Sequence, residues 1–176
     1  MSVARIMAVI GLGALLSACA TVAPPSAPTA PEISRSLTLR DRYNIPHPQG
    51  VATIYIDSVA VHHTRAEGST IAWKDHANVW HWSQVSENGP GGLLSIEPKM
   101  EYNRDKLLKA NDAKALDALI RNPALYSGKV RRTGEPGIGA PYHVMEIVSP
   151  KGHVILRWDG RLVGPPGAVA DIMLGH

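Results

Sequence analysis

Histidine is the residue type in this sequence whose spacing first suggests chemistry. Four of the eight histidines lie between positions 62 and 81. Imidazole nitrogens bind zinc or copper when several of them converge from two or three strands. Because neighbours in a strand point to opposite faces, at most one of His62 and His63 can join a given site. The candidate metal ligands are His63, His76 and His81, although no HExxH motif or other diagnostic spacing is present, and scattered surface or partly buried histidines are the alternative.

Two tryptophans separated by one residue form a second candidate site. Trp80 and Trp82 fall in a predicted strand over residues 78–85 and share one of its faces. Paired indoles could stack against a sugar ring or a peptide, since each combines a large apolar area with one hydrogen-bond donor. The chain contains no Phe, so tryptophan is also its only very large core side chain. A place in the core is therefore the competing interpretation.

The sequence lacks the common catalytic signatures. It has no GxSxG and no GxxxxGK[ST] motif. His143 and His153 flank a predicted hairpin with Glu146 and Asp159 nearby, but their spacing identifies no activated nucleophile. A non-enzymatic protein without a cofactor is the expectation.

The first nineteen residues form a leader with a distinctive end. Arg5 precedes an apolar run from Ile6 to Leu16, which is too short for a stable membrane-spanning helix. The run ends at Leu16-Ser17-Ala18-Cys19, and Cys19 is the only cysteine in the chain. This pattern resembles the lipobox of bacterial lipoproteins.

The resemblance implies how the chain would be processed and where it would go. Residues 1–18 would be a signal peptide, removed after a diacylglyceryl group is attached to the Cys19 sulfur, and the new amino terminus would then be acylated. Two or three acyl chains anchor a protein durably, whereas one anchors it marginally. Ala20 stands where an Asp would retain such a lipoprotein of a Gram-negative bacterium at the inner membrane, so the expected location is the outer membrane, with the domain facing the periplasm.

Proline spacing predicts the domain organisation. Four prolines between residues 24 and 31 prevent helix or sheet from propagating. Residues 19–50 are therefore interpreted as a lipidated cysteine and a Pro/Ala-rich tether. A single packed domain is predicted over residues 51–176, starting near Val51.

Composition and periodicity predict the fold class. The 16 Gly and 14 Pro residues favour a turn-rich domain over a helix bundle. Alternating β-branched residues predict strands, and Asn111 is the expected N-cap of one main helix. The prediction is an α+β domain: an antiparallel sheet of about five to seven strands, the main helix packed on one face, and a short C-terminal helix.

These observations predict an outer-membrane-anchored periplasmic lipoprotein that acts as a binding or accessory module of the cell envelope. Its expected partners are the membrane, through the lipid on Cys19, and an envelope glycan or peptide. The net charge of +3 is too small to suggest nucleic acid. The alternative function is a histidine-based metal-binding protein or a metal-dependent hydrolase.

Overall fold

The computed structural model of the chain describes residues 39–62, 64–89, 99–134 and 140–175. The lipobox with Cys19, the proline-rich residues that follow it, and His63 lie outside the described residues. Within the described part of the chain, no helix is both long and apolar enough to span a membrane.

The central element is a six-stranded antiparallel sheet in the order β4-β3-β2-β1-β6-β7. Two further strands, β5 and β8, pair in a separate two-residue ladder. The strand bounds are β1 Ala52–His62, β2 Thr64–Lys74, β3 Trp80–Asn88, β4 Lys99–Leu107, β5 Arg132–Thr133, β6 Tyr142–Ser149, β7 Gly152–Asp159 and β8 Arg161–Leu162. β1 lies in the centre of the sheet, as expected for a strand rich in Ile and Val.

Three helical segments follow β4 in the chain. Helix α1 spans Ala110–Leu119, a 3₁₀ helix spans Pro123–Ser127, and helix α2 spans Pro165–Leu174. The predicted cap is wrong: α1 begins before Asn111, its N-cap is Lys109, and no side chain caps it. In α2 the two prolines occupy the first turn, where the missing N–H groups cost no helical hydrogen bond.

The main hydrophobic core contains buried residues of both the sheet and the helices. It joins strand residues such as Ile54 and Met145 to Leu116 of α1 and Met173 of α2, all of which are buried. The antiparallel sheet and the few helices make the domain α+β or β-rich, and the number of strands in the main sheet falls in the predicted range.

The opposite face of the sheet is covered in part by residues 39–50. Leu39 and Ile45 pack with Val85 in a second buried cluster. Arg40 is also buried and binds the sheet through hydrogen bonds to β2 and β3. The predicted tether over residues 19–50 is therefore wrong for residues 39–50. The few apolar side chains of this segment stand among polar neighbours, so the sequence pattern did not indicate that it packs on the sheet.

Candidate functional site

A groove opens on the sheet face that residues 39–50 cover only in part. It has a volume of about 340 Å³ and lies over β1, β6 and β7, with residues 47–50 at its rim. Alternation along the strands brings its lining residues to one face, because Tyr55 pairs with Glu146 and Asp57 pairs with Val144. The lining residues are His47, Gln49, Gly50, Thr53, Tyr55, Asp57, Val144, Glu146, Val148 and Ile155.

The groove combines an apolar wall with negative charge. Val144, Val148 and Ile155 supply the apolar wall from β6 and β7, whereas Asp57 and Glu146 supply carboxylates. Glu146 Oε1 lies 2.8 Å from Nε2 of His153. A few polar groups at fixed positions in a mostly apolar cleft are typical of small-molecule binding sites.

Tyr55 lies in the groove between its two carboxylates and is partly buried. Burial raises the pKa of its phenol, and the negative charges of Glu146 and Asp57 raise that pKa further, while the positive charge of Arg40 opposes them. The phenol therefore stays protonated at neutral pH, and its hydroxyl donates a hydrogen bond to the Pro48 carbonyl oxygen at 3.2 Å. The two carboxylates and the Arg40 guanidinium thus act on the phenol with opposite signs.

Hydrogen bonds hold the rim of the groove against β1. The Gly50 N–H donates to Oγ1 of Thr53 at 3.3 Å, which complements the bond between Tyr55 and Pro48. His47 Nε2 lies 3.0 Å from Oδ1 of Asp41, and this contact orients the imidazole at the rim. The groove thus depends on the part of the chain that the sequence interpretation assigned to the tether.

The tryptophan platform predicted at Trp80 and Trp82 is wrong. Each residue is only 3% exposed and belongs to the main core. Trp80 Nε1 donates to Oδ1 of Asp117 at 2.9 Å, and Trp82 Nε1 donates to the Met173 carbonyl oxygen at 3.2 Å. In a chain without Phe, these indoles are among the largest side chains of the main core.

The described histidines do not converge into a metal site. Among the described residues, no three His, Cys, Asp or Glu side chains are placed to hold a metal ion. His76 is exposed in the loop between β2 and β3. Both ring nitrogens of His81 contact carboxylates, Nδ1 with Asp105 at 3.0 Å and Nε2 with Asp75 at 3.1 Å. This arrangement favours the protonated ring, which has no lone pair for a metal.

The sequence pattern contained a weak signal for the groove. Tyr55 and Asp57 on one strand, and Val144, Glu146 and Val148 on another, have the spacing of residues on one strand face. What the pattern could not supply was the pairing of β1 with β6, which are separated by most of the domain.

Comparison of the chain with protein-family models, with curated proteins and with solved structures gives no match. The function must therefore be argued from the site itself.

Proposed function

We propose that this chain is a lipid-anchored protein of the bacterial outer membrane whose periplasmic domain binds a small ligand with an apolar body and a positively charged group. The lipobox at Leu16 to Cys19 and the proline-rich residues after it support the anchor. The groove supports the binding role.

The observation that carries the ligand class is the presence of Asp57 and Glu146 beside an apolar wall in one groove. An ammonium group near these carboxylates would gain electrostatic attraction, and the aliphatic or aromatic remainder would bury apolar area against Val148 and Ile155. A free amine, or a lysine side chain of an envelope peptide, has this chemistry. An envelope peptide therefore remains a proposed partner, with the groove as its binding site.

Two probes with the same apolar body and opposite charges test the ligand class. We expect calorimetric titration to show binding of phenethylammonium and none of 3-phenylpropanoate. Replacing Glu146 by Gln should weaken the binding of phenethylammonium about tenfold, which corresponds to roughly 1.4 kcal/mol. The matched control is Glu101→Gln on edge strand β4, where the carboxylate pairs with exposed Lys99. Equal binding of both probes, or of neither, would contradict this part of the proposal.

The anchor is tested separately by growing cells with labelled palmitate. We expect the wild-type chain to incorporate the label and Cys19→Ser to lose it. Unchanged incorporation in Cys19→Ser would contradict lipidation of Cys19. It would not bear on ligand binding in the groove.

We also propose that α1 is the main helix of the domain and packs on one face of the sheet with α2 beside it. The shared burial of Leu116, Met173 and the indoles of β3 supports this arrangement.

A further inference from the structure

A serine and a histidine from neighbouring strands meet on the sheet face opposite the groove. Ser58 of β1 and His143 of β6 are register partners, although 85 positions separate them in the chain. Ser58 Oγ lies 2.7 Å from His143 Nδ1. A hydroxyl within hydrogen-bond distance of an imidazole nitrogen is the basic arrangement of an activated nucleophile.

The imidazole is held in a fixed orientation. It stacks on the indole of Trp158, with ring centroids 4.9 Å apart and an angle of 20° between the planes. Trp158 is itself buried, so it provides a rigid support. Burial lowers the pKa of His143, which keeps the ring neutral at pH 7 and leaves Nδ1 able to accept the serine proton.

A pocket adjoins the imidazole of the pair. His143 and Trp158 line a pocket of about 400 Å³, whose walls include Leu162 of β8 and Leu174 of α2. The charged groups on this pocket are Arg161 and Asp171. On the other side of Ser58, its partner on β2 is Gly68, which has no side chain to cover the hydroxyl.

We propose that Ser58 is a nucleophile that accepts acyl groups from activated esters, with His143 as its general base. Ser58 Oγ forms a bond to the carbonyl carbon while its proton passes to His143 Nδ1. The bond to the leaving alcohol then breaks, and the alcohol takes up that proton. Water hydrolyses the acyl-serine ester through the same proton transfers.

This site goes beyond the proposed binding function and is independent of it, because the groove and Ser58 lie on opposite faces of the sheet. A failure to bind phenethylammonium would not contradict the proposed reactivity of Ser58. An unreactive Ser58 would not contradict ligand binding in the groove.

The full chain is treated with a fluorophosphonate probe and, separately, with p-nitrophenyl acetate. We expect mass spectrometry to locate the phosphonate on Ser58, with fluoride displaced, and p-nitrophenolate to be released in a burst of about one equivalent. Ser58→Ala should abolish both signals, and His143→Gln should slow them at least tenfold. Ser86→Ala, two strands away in the same row of the sheet, is the matched control and should react as the wild type.

The pH profile separates a base from a structural hydrogen bond. The labelling rate should fall as pH is lowered through the pKa of His143, because the protonated ring cannot take the serine proton. Two results would overturn the proposal. One is absence of label on Ser58 in the wild-type chain, a measurement that needs no variant to fold. The other is a labelling rate in His143→Gln equal to that of the wild type.

Discussion

Arg40 binds Ser69 through both the side chain and the backbone of that serine. Its Nε donates to Oγ at 3.1 Å, and its Nη2 donates to the carbonyl oxygen at 3.2 Å. The same Nη2 also donates to the Ser83 carbonyl oxygen at 3.1 Å, so the guanidinium joins β2 and β3 to the segment over them. Arg40 therefore fastens residues 39–50, and with them the rim of the groove, to the sheet.

Removing this guanidinium should destabilise the domain strongly. Arg40→Met keeps much of the aliphatic stem but leaves buried carbonyl oxygens without donors. We expect the free energy of unfolding in urea to fall by about 2–4 kcal/mol. Arg42→Met is the control, because Arg42 is largely exposed and its ion pairs with Glu67 and Glu87 should contribute less than about 1 kcal/mol. Equal losses in the two variants would contradict the assigned role of Arg40.

The sequence predicted the parts of the fold whose signals are local. Alternating β-branched residues identified β1, and the Ser149 to Gly152 turn identified the hairpin of β6 and β7. Strand β4 was not predicted, because Lys99–Leu107 is an edge strand with mostly exposed, charged side chains and carries no apolar alternation. Residues 39–50 were missed for a related reason, since one buried arginine does much of their anchoring.

The candidate sites were harder to predict because they depend on strand pairing. Periodicity placed Trp80 and Trp82 on the same face, but it could not show that both indoles are buried in the main core. Ser58 and His143 come together only because β1 pairs with β6 in one particular register. A one-residue shift would move every side chain of a strand to the other face, and no local pattern specifies that register.

Asp117 accepts the hydrogen bond of the buried Trp80 indole, and replacing Asp117 should destabilise the domain. Its Oδ1 accepts hydrogen bonds from Trp80 Nε1 at 2.9 Å and from Lys74 Nζ at 2.8 Å. We expect Asp117→Ala to lower the free energy of unfolding at pH 7 by about 1–3 kcal/mol, because the buried indole N–H loses its acceptor. Lys74→Met should lower the free energy of unfolding by less, since it leaves the hydrogen bond between Trp80 and Asp117 intact.

The effect of Asp117 should also depend on pH. Burial raises the pKa of its carboxyl, but the bonds to Lys74 and Trp80 outweigh burial and lower it overall. The stabilisation is therefore present above the ordinary pKa of aspartate, about 3.9, and is lost as pH falls through the lower folded-state value. Urea unfolding at pH 7 and pH 3 should show a smaller difference between wild type and Asp117→Ala at pH 3. A constant difference would indicate that the charge of Asp117 contributes nothing.

His81 should stabilise the domain more at acidic pH than at alkaline pH. Burial lowers the pKa of its imidazole, but the hydrogen bonds to Asp75 and Asp105 outweigh burial and raise it overall. The contribution is therefore complete below the ordinary histidine pKa of about 6.5 and is lost as pH rises through the folded-state value. We expect His81→Gln to lower the free energy of unfolding in urea by up to about 1 kcal/mol more at pH 5.5 than at pH 9. The neutral part of the stacking on Trp73 is lost at both pH values, so the difference between them reports the interactions of the charged ring.

Replacing Gly167 by alanine should destabilise the domain, although the same substitution stabilises most helices. In most helices this substitution stabilises by about 0.5–1 kcal/mol. In the first turn of α2, however, a Cβ on Gly167 would lie 2.4 Å from the Leu162 carbonyl oxygen, so helix and β8 would have to move apart. We expect Gly167→Ala to lower the free energy of unfolding by about 1–3 kcal/mol. Ala168→Gly measures helix propensity alone at the next position. A stabilised Gly167→Ala variant would show that α2 is not packed against Leu162 at this distance.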